Sequence, residues 1–427
     1  MGVLLGAIAD DFTGATDLCN TLQRRGMRTV QLIGVPPKGA SAPEAEAFVI
    51  ALKTRTVAAA EAVRKSLDAL AFLQAAGARQ IFFKYCSTFD STDEGNIGPV
   101  AEALLSALGA DFTLFCPAFP ETGRTIYKGH LFVGEVLLSQ SGMRDHPLTP
   151  MRDPNLVRVL ERQCRFPVGL VPYESVAEGA EAIANAFSAL KKAGVRHAVV
   201  DALFPRDLEE IAVAAADFPL VTGGSGIARG LPENLRRKGL LGAERGFDRV
   251  PAVYGLEAVL SGSCSEATAA QVAFMQERAP AFAIDPLAAA EGRDLVAEAI
   301  AWARPRLPKG PILIFSTAPP QTVAAVQKRL GREAAGALVE GIFAGIALGL
   351  VACGVRSLLV AGGETAGAVV GSLGITALAI GPEIDPGVPW TLSLGEPAFQ
   401  LALKSGNFGK PDFFLRAFSL LSKKDSR

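Results

Sequence analysis

The chain has 427 residues, 49% of them apolar and only 7% aromatic, with 42 Lys and Arg set against 43 Asp and Glu. That length suits two domains, the Ala-, Gly-, Val- and Leu-rich composition fits large α/β cores, and a net charge near zero gives no support to a nucleic-acid partner. Six cysteines without a CxxC pair, and not clustered with the three histidines, argue against a structural zinc or a disulfide framework and for a reducing cytosol.

The first predicted strand, residues 3–8, follows no basic leader and no cleavage site, so a cytoplasmic location is expected. The strand runs into Ala9-Asp10-Asp11-Phe12-Thr13-Gly14-Ala15, where a helix begins. Ligands of open α/β sheets bind at the carboxyl ends of strands. Two adjacent acids there are expensive unless they meet a cation, a hydroxyl-rich ligand or a basic partner. A helix cap needs only one of them.

Further strands are predicted at 29–33, 47–51, 80–84, 112–116, 168–171, 198–200 and 220–221, with helices at 57–76, 97–108, 176–193 and 208–216. This alternation argues for a mostly parallel sheet covered on both faces. Several strands end in polar residues. Lys53-Thr54-Arg55 closes one. Lys84-Tyr85-Cys86-Ser87-Thr88-Phe89-Asp90-Ser91-Thr92, with Asn96 beyond, closes another, and Pro117 to Arg124 follows a third. Lysines and arginines beside hydroxyls and amides suit a small polyhydroxy carboxylate. Of the histidines, His146 lies in a polar loop that could cover a site, while His130 and His197 read as structural. Gly223-Gly224-Ser225-Gly226 has neither the spacing of a nucleophile elbow nor that of a dinucleotide fingerprint.

A charged stretch at 235–249, carrying Arg236, Arg237, Lys238, Glu244, Arg245, Asp248 and Arg249, is the best boundary. Beyond it strands are predicted at 258–261, 281–284, 311–316, 357–360 and 377–380. The apolar segment 334–353, rich in glycine, reads as a helix buried between layers and not as a membrane span. Three small-residue loops stand out: Ser261-Gly262-Ser263, Gly362-Gly363-Glu364-Thr365, and a flexible polar loop from Lys404 to Lys410 that contains Gly406 and Asn407. Each alone is an ordinary turn. Together they fit a nucleotide site, because glycine lets backbone N–H groups approach an anion. None is a P-loop.

Ile8 to Ala15, Asp90-Ser91-Thr92, Gly95-Asn96-Ile97-Gly98, Gly223 to Gly226, Ser261-Gly262-Ser263 and Gly362 to Thr365, in this order along the chain, resemble the motifs of the four-carbon acid sugar kinase family. Glu94 stands where threonate and erythronate kinases of that family carry arginine, and the segments around 85–100 and 127–150 resemble the 3-oxo-tetronate kinase branch. The resemblance implies an α/β fold of two domains, each a mostly parallel sheet flanked by helices, with the active site in the cleft between them. It implies a sugar-acid-binding domain over 1–235, a nucleotide-binding domain over 250–427, and ATP with Mg²⁺ as cofactors.

The expected roles are these. Asp11 and Asp10 are catalytic. Thr13, Arg55, Lys84, Ser87, Asp90, Thr92, Asn96 and Arg124 bind the acid. Ser261, Ser263, Gly362, Gly363, Glu364, Thr365, Gly406 and Asn407 bind the nucleotide. No metal cluster on the protein and no membrane are expected, and a homo-oligomer is left open. A threonate or erythronate kinase, a nicotinamide-dependent reductase and a non-catalytic sugar-acid sensor are the alternatives. The reductase would need a glycine fingerprint that this chain lacks.

Overall fold

The computed structural model describes residues 2–37, 39, 43–146, 148–243, 251 and 253–422. Pro147, and Glu244, Arg245, Asp248 and Arg249 of the charged stretch, lie outside the described residues. The chain divides into two compact units, Met1–Phe247 and Asp248–Arg427.

The described strands of the first unit are β1 (Leu5–Ala9), β2 (Thr29–Ile33), β3 (Ala47–Ala51), β4 (Gln80–Lys84), β5 (Thr113–Cys116), β6 (Arg124–Tyr127), β7 (His130–Val133), β8 (Val136–Leu137), β9 (Val168–Val171), β10 (His197–Val200) and β11 (Leu220–Gly223). Eight of them form a parallel sheet in the order β2-β3-β1-β4-β11-β5-β10-β9. Most are continuous apolar runs buried on both faces, the pattern of a sheet covered on two sides. The chain leaves β1 toward β2 and β3, then crosses to β4 on the other side of β1. This reversal is the switch point at which an open parallel sheet leaves a crevice.

Two features of this unit differ from the sequence expectation. The helix expected over 176–193 is two helices, Tyr173–Ala177 and Ala180–Lys192, parted at Gly179, whose φ of 95° suits only glycine. Strands β6 to β8 form a small antiparallel sheet of their own. The Gly223-Gly224-Ser225-Gly226 run is a packing device. A Cβ at Gly223, Gly224 or Gly226 would come within 2.3, 2.7 or 2.6 Å of the carbonyl oxygens of Cys116, Pro117 and Ala118.

His197, at the start of β10, is wholly buried with Nε2 3.3 Å from Glu102 Oε1. Both oxygens of that carboxylate already accept other bonds, from the Arg165 and Phe166 N–H groups and from Arg165 Nε. Burial pushes the imidazole below its ordinary value of 6.5, while Glu102 pulls the other way. A depressed folded pKa means that the unfolded chain binds more protons just below pH 6.5, so this contribution to stability is lost as pH falls through the folded value. Thermal melts of the wild type should therefore decline from pH 7 toward pH 5, over about two units. The decline should be shallower in His197→Gln, and an equal slope in both proteins would refute the assignment.

The second unit contains β12 (Leu256–Ser261), β13 (Ala281–Ala283), β14 (Ile312–Phe315), β15 (Val355–Ala361), β16 (Ala377–Asp385), β17 (Val388–Ser393) and β18 (Gln400–Lys404). Their order is β13-β14-β12-β15-β18-β17-β16. The first five run parallel, and β17 runs antiparallel to both its neighbours, β18 and β16. The chain reverses direction across the sheet at β12, which makes the end of β12 this unit's switch point. Trp390, Phe413, Phe414 and Phe418 fill the core on one side of the sheet.

Helix Arg332–Ala352 is long and apolar enough to cross a membrane, but its small residues have another use. A Cβ at Gly345 would lie 3.1 Å from Val296, and one at Gly349 2.6 Å from Ile300. The glycines thus let helix Leu295–Ala303 approach closely. The expectation of a helix buried between layers is corrected. One face, with Ala335, Ile342, Phe343, Ile346, Ala347 and Leu350, is buried, only 33% of the apolar window is inside, and Leu348 is exposed.

Candidate active site

In the first unit the acidic pair sits at the switch point. Asp10 follows β1, and its carbonyl accepts from the Thr54 and Arg55 N–H groups at 2.9 and 3.2 Å, which ties the chain beyond β3 to the end of β1. Asp11 is the N-cap of helix Phe12–Arg24. Its Oδ1 accepts from the Gly14 N–H at 3.0 Å and its Oδ2 from the Thr13 hydroxyl at 2.7 Å. Capping is therefore real, but it is only part of what the pair does.

Arg55 joins the two acids. Its Nε and Nη2 each donate to Asp10 at 2.8 Å, and Nη2 also reaches Asp11 Oδ1 at 2.7 Å. Nη1 lies 3.7 Å from Asp90 Oδ2. Lys84 is buried at the end of β4 and donates to the Tyr85 carbonyl at 2.7 Å. A Cβ on Gly14 would lie 2.3 Å from Asp11 Oδ1 and 2.9 Å from Lys84 Nζ, so glycine is what lets acid and ammonium share the first helical turn.

The environments of the two acids differ. Burial lifts the Asp10 carboxyl above its ordinary range, against the pull of Arg55. Burial acts upward on Asp11 as well, but Arg55, Lys84, the Thr13 hydroxyl and the Gly14 N–H outweigh it and hold Asp11 below its usual value. Arg55 is desolvated too, yet the two carboxylates hold its proton more tightly than usual. This is a charge cluster in a nearly dry place, where each ion depends on the others.

Asp90 is brought to the cluster by an unusual turn. Phe89 and Asp90 have φ of 65° and 41°, left-handed values that cost energy in residues with side chains. Burial of Phe89 against the Tyr85 ring, and the bond from Thr88 Oγ1 to Asp90 Oδ1 at 2.6 Å, hold this turn in place. Ser87 is buried in the same segment. Buried Arg124 has its guanidinium pushed down by desolvation, with Cys86, Asp90 and Asp17 opposing, and it donates to the Thr122 carbonyl.

Two expected ligand residues are placed differently. Asn96 Nδ2 donates to the carbonyls of Thr54 and Val57 at 2.8 and 3.1 Å, so this amide clamps the loop that carries Arg55. Thr92 lines an open groove of ≈ 590 Å³ with Glu94, Arg158 and Arg162, apart from the charge cluster.

In the second unit the three predicted loops converge, because β12, β15 and β18 are neighbours and all end on the same edge. A Cβ at Gly262 would lie 2.0 Å from Thr365 Oγ1. One at Gly362, whose φ is 115°, would lie 3.1 Å from the Ser263 nitrogen. One at Gly406 would lie 2.4 Å from Ser263 Oγ. Helix Gly363–Ser372 starts at Gly362 with no side-chain cap, the kind of helix start whose first-turn N–H groups suit an anion, and Gly363, Glu364 and Thr365 make up that turn. Ser261 Oγ lies 3.0 Å from Thr317 Oγ1, and that hydroxyl donates to the Ser263 carbonyl at 2.8 Å. Thr317 was not anticipated; its position just after β14 is the signal that could have found it. Asn407 is exposed at the tip of its loop.

A buried charge cluster at the switch point of one mostly parallel sheet and a glycine-rich edge at the switch point of another are the arrangement expected of a two-domain α/β kinase. Residues 5–231 match the family model described as a sugar-binding N-terminal domain, and residues 258–414 match the nucleotide-binding C-terminal domain. The chain belongs to the four-carbon acid sugar kinase family. It is 59% identical to a 3-oxo-tetronate kinase of Burkholderia multivorans, over 98% of this chain and 97% of that one. It is 58% identical to the 3-oxo-tetronate kinase of Cupriavidus necator, with the same coverage. Crystal structures of proteins from Salmonella typhimurium LT2 and Haemophilus influenzae superpose with TM-scores of 0.81 and 0.74, each at 44% identity and covering 97% of this chain and 98% and 100% of theirs. The Salmonella protein carries a provisional description as a tRNA synthase. The near-neutral charge of the present chain lends that reading nothing.

Proposed function

We propose that this protein transfers the γ-phosphoryl group of ATP to the 4-hydroxyl of 3-oxo-tetronate, giving 3-oxo-tetronate 4-phosphate for sugar-acid breakdown. The observation that carries the reading is the 59% identity, over nearly the whole length, to a kinase of that name.

The sugar acid is assigned to the first unit. The substrate carboxylate is assigned to Lys84, whose charge acts on Asp11, and to Arg124, on which Asp90 acts, and the hydroxyls to Thr13, Ser87 and Asp90. Asn96 acts on the substrate through the Arg55 loop. Asp11, ionised and next to the cluster's cations, is the base that accepts the proton of the attacking hydroxyl. The nucleotide phosphates are assigned to the uncapped turn Gly362–Thr365 and to the loops bearing Ser261, Ser263 and Gly406. Bound Mg²⁺ would neutralise phosphate charge. Mg²⁺ takes most of its ligands from phosphate and water, so few side chains of the chain itself are needed to hold it.

The test compares kcat/KM for 3-oxo-tetronate and threonate by ADP release. The oxo acid should be the better substrate. A preference for threonate of about tenfold or more, or about 1.4 kcal/mol in transition-state binding, would overturn the assignment.

A further inference from the structure

Lys404 was expected in a flexible polar loop; it is instead the last residue of β18, with 0% of its surface exposed. Among the described residues no carboxylate pairs with it. Its three N–H bonds are shared among four oxygens, Thr268 Oγ1 at 3.0 Å and the carbonyls of Ser405, Gly406 and Phe408 at 2.8, 3.0 and 3.1 Å. A buried lysine without an acid is a costly choice for a fold, and burial pushes this one down to about 7. The four oxygens around the ammonium act in the opposite sense, because they solvate the charged form.

Other side chains repeat the same inward pull. The Gly406 carbonyl also accepts from Ser265 Oγ at 2.6 Å and Thr268 Oγ1 at 2.8 Å. Gln271 Nε2 donates to the carbonyls of Phe408 and Gly409, both at 2.9 Å. In a trans peptide the N–H points opposite to the C=O. Each carbonyl drawn toward Lys404 therefore turns the following N–H away from it: Gly406 after Ser405, Asn407 after Gly406, Gly409 after Phe408. Among the described residues none of these three N–H groups has an acceptor. Three donors on the single Gly406 carbonyl also polarise that peptide, which strengthens its N–H at Asn407 as a donor.

We propose that Lys404 is the positioning residue of the nucleotide site. It fixes the 405–409 loop so that the N–H groups of Gly406, Asn407 and Gly409 form a phosphate cradle. This inference rests on the assignment of the nucleotide to the second unit. The lysine occupies the inner side of the loop and the phosphates the outer side, so the cation acts through the peptide groups and never touches the ligand. In this chain that arrangement stands where a P-loop would bring a lysine directly onto the phosphates.

The experiment measures dissociation constants of the full chain for ATP, ADP and adenosine, together with KM for ATP and for the sugar acid. Lys404→Met, of similar length and without a donor, should weaken ATP and ADP by about tenfold or more and adenosine by less than about twofold. KM for ATP should rise while KM for the sugar acid holds. Equal losses for ATP and adenosine mean a merely structural lysine, and no loss means no cradle; either overturns the proposal. If Lys404→Met does not fold, Thr268→Val removes one of the loop's anchors. It should give the same phosphate-selective pattern at smaller amplitude, and its failure to do so overturns the proposal equally.

Gly262→Ala separates the two levels of the argument, because its Cβ would lie 2.0 Å from Thr365 Oγ1. If it leaves ATP affinity unchanged, the nucleotide assignment falls and the cradle with it. If it weakens ATP while Lys404→Met does not, only the role of Lys404 falls.

Discussion

Replacing Arg55 by methionine should damage stability and turnover together. The guanidinium is 20% exposed and makes three hydrogen bonds to Asp10 and Asp11, the former almost fully buried. Without it, two carboxylates face each other at the end of β1 with only Lys84 nearby. Removing one partner of a buried ion cluster typically costs about 3–5 kcal/mol, because the charges left behind are uncompensated. The loss should depend on pH in a definite direction. Loss of the guanidinium should let burial carry both carboxyls upward, Asp10 further above its ordinary value of 3.8, so the folded state should bind more protons than the unfolded chain and stability should fall as pH rises. In the wild type Asp11 has a lowered folded pKa, and its contribution is lost only as pH falls below 3.8. Urea melts should thus show the deficit of Arg55→Met greatest near neutral pH and smaller toward about pH 5. Arg55→Lys keeps the charge but loses the fork that spans both acids, so it should recover part of the stability and little of the turnover. A midpoint unchanged in Arg55→Met would show that the cluster does not hold this end of the sheet.

The parts of the fold legible in the sequence are those where one physical rule acts alone. Strands 29–33, 47–51, 80–84 and 168–171 have the bounds expected for them; the plainest case is 47–51, an unbroken apolar run buried on both faces of a parallel sheet. The three loops were legible as a group because each gathers glycine with small polar residues within one domain. That β12, β15 and β18 are neighbours is set by long-range pairing, which no local window contains. Strand β18 was missed because Gln400-Leu401-Ala402-Leu403-Lys404 ends in the residue least expected in a core. The left-handed Phe89-Asp90 turn carries no local signal either. Phenylalanine is a poor candidate for positive φ, and the contacts that hold it there come from Tyr85 and Thr88. At the acidic pair, the residue types called for a cation, a hydroxyl-rich ligand or a basic partner, and Lys84 and Arg55 both stood at strand ends. Only the geometry separates them: Arg55 bridges both acids, while Lys84 donates a hydrogen bond to its neighbour's carbonyl.

Asp11→Asn should leave the fold nearly intact and reduce kcat by roughly 10²–10⁴-fold, the range for a general base. Asparagine is as good an N-cap as aspartate, so the bond to the Gly14 N–H survives and helix Phe12–Arg24 keeps its start. What goes is the negative charge that could take the proton of the attacking hydroxyl. A primary hydroxyl is a weak nucleophile, and a positioned carboxylate helps as the P–O bond forms. Of the three acids at the cluster, Asp10 is least free, with each oxygen bonded to Arg55. Asp90 has one oxygen on Thr88 and the other 3.7 Å from Arg55. Asp11 is held ionised by Arg55 and Lys84, so it is available as a base at any pH above its depressed pKa, though as a weak one. The test is steady-state kinetics of Asp11→Asn, Asp10→Asn and Asp90→Asn, with the affinity for the sugar acid measured separately. If Asp11 is the base, its variant should bind the acid almost normally while kcat collapses, whereas Asp10→Asn should lose stability first, because it loosens Arg55. If Asp11→Asn turns over within a few-fold of the wild type while Asp90→Asn folds and is inactive, the proton goes to Asp90, and the strained turn at Phe89 and Asp90 is there to present it.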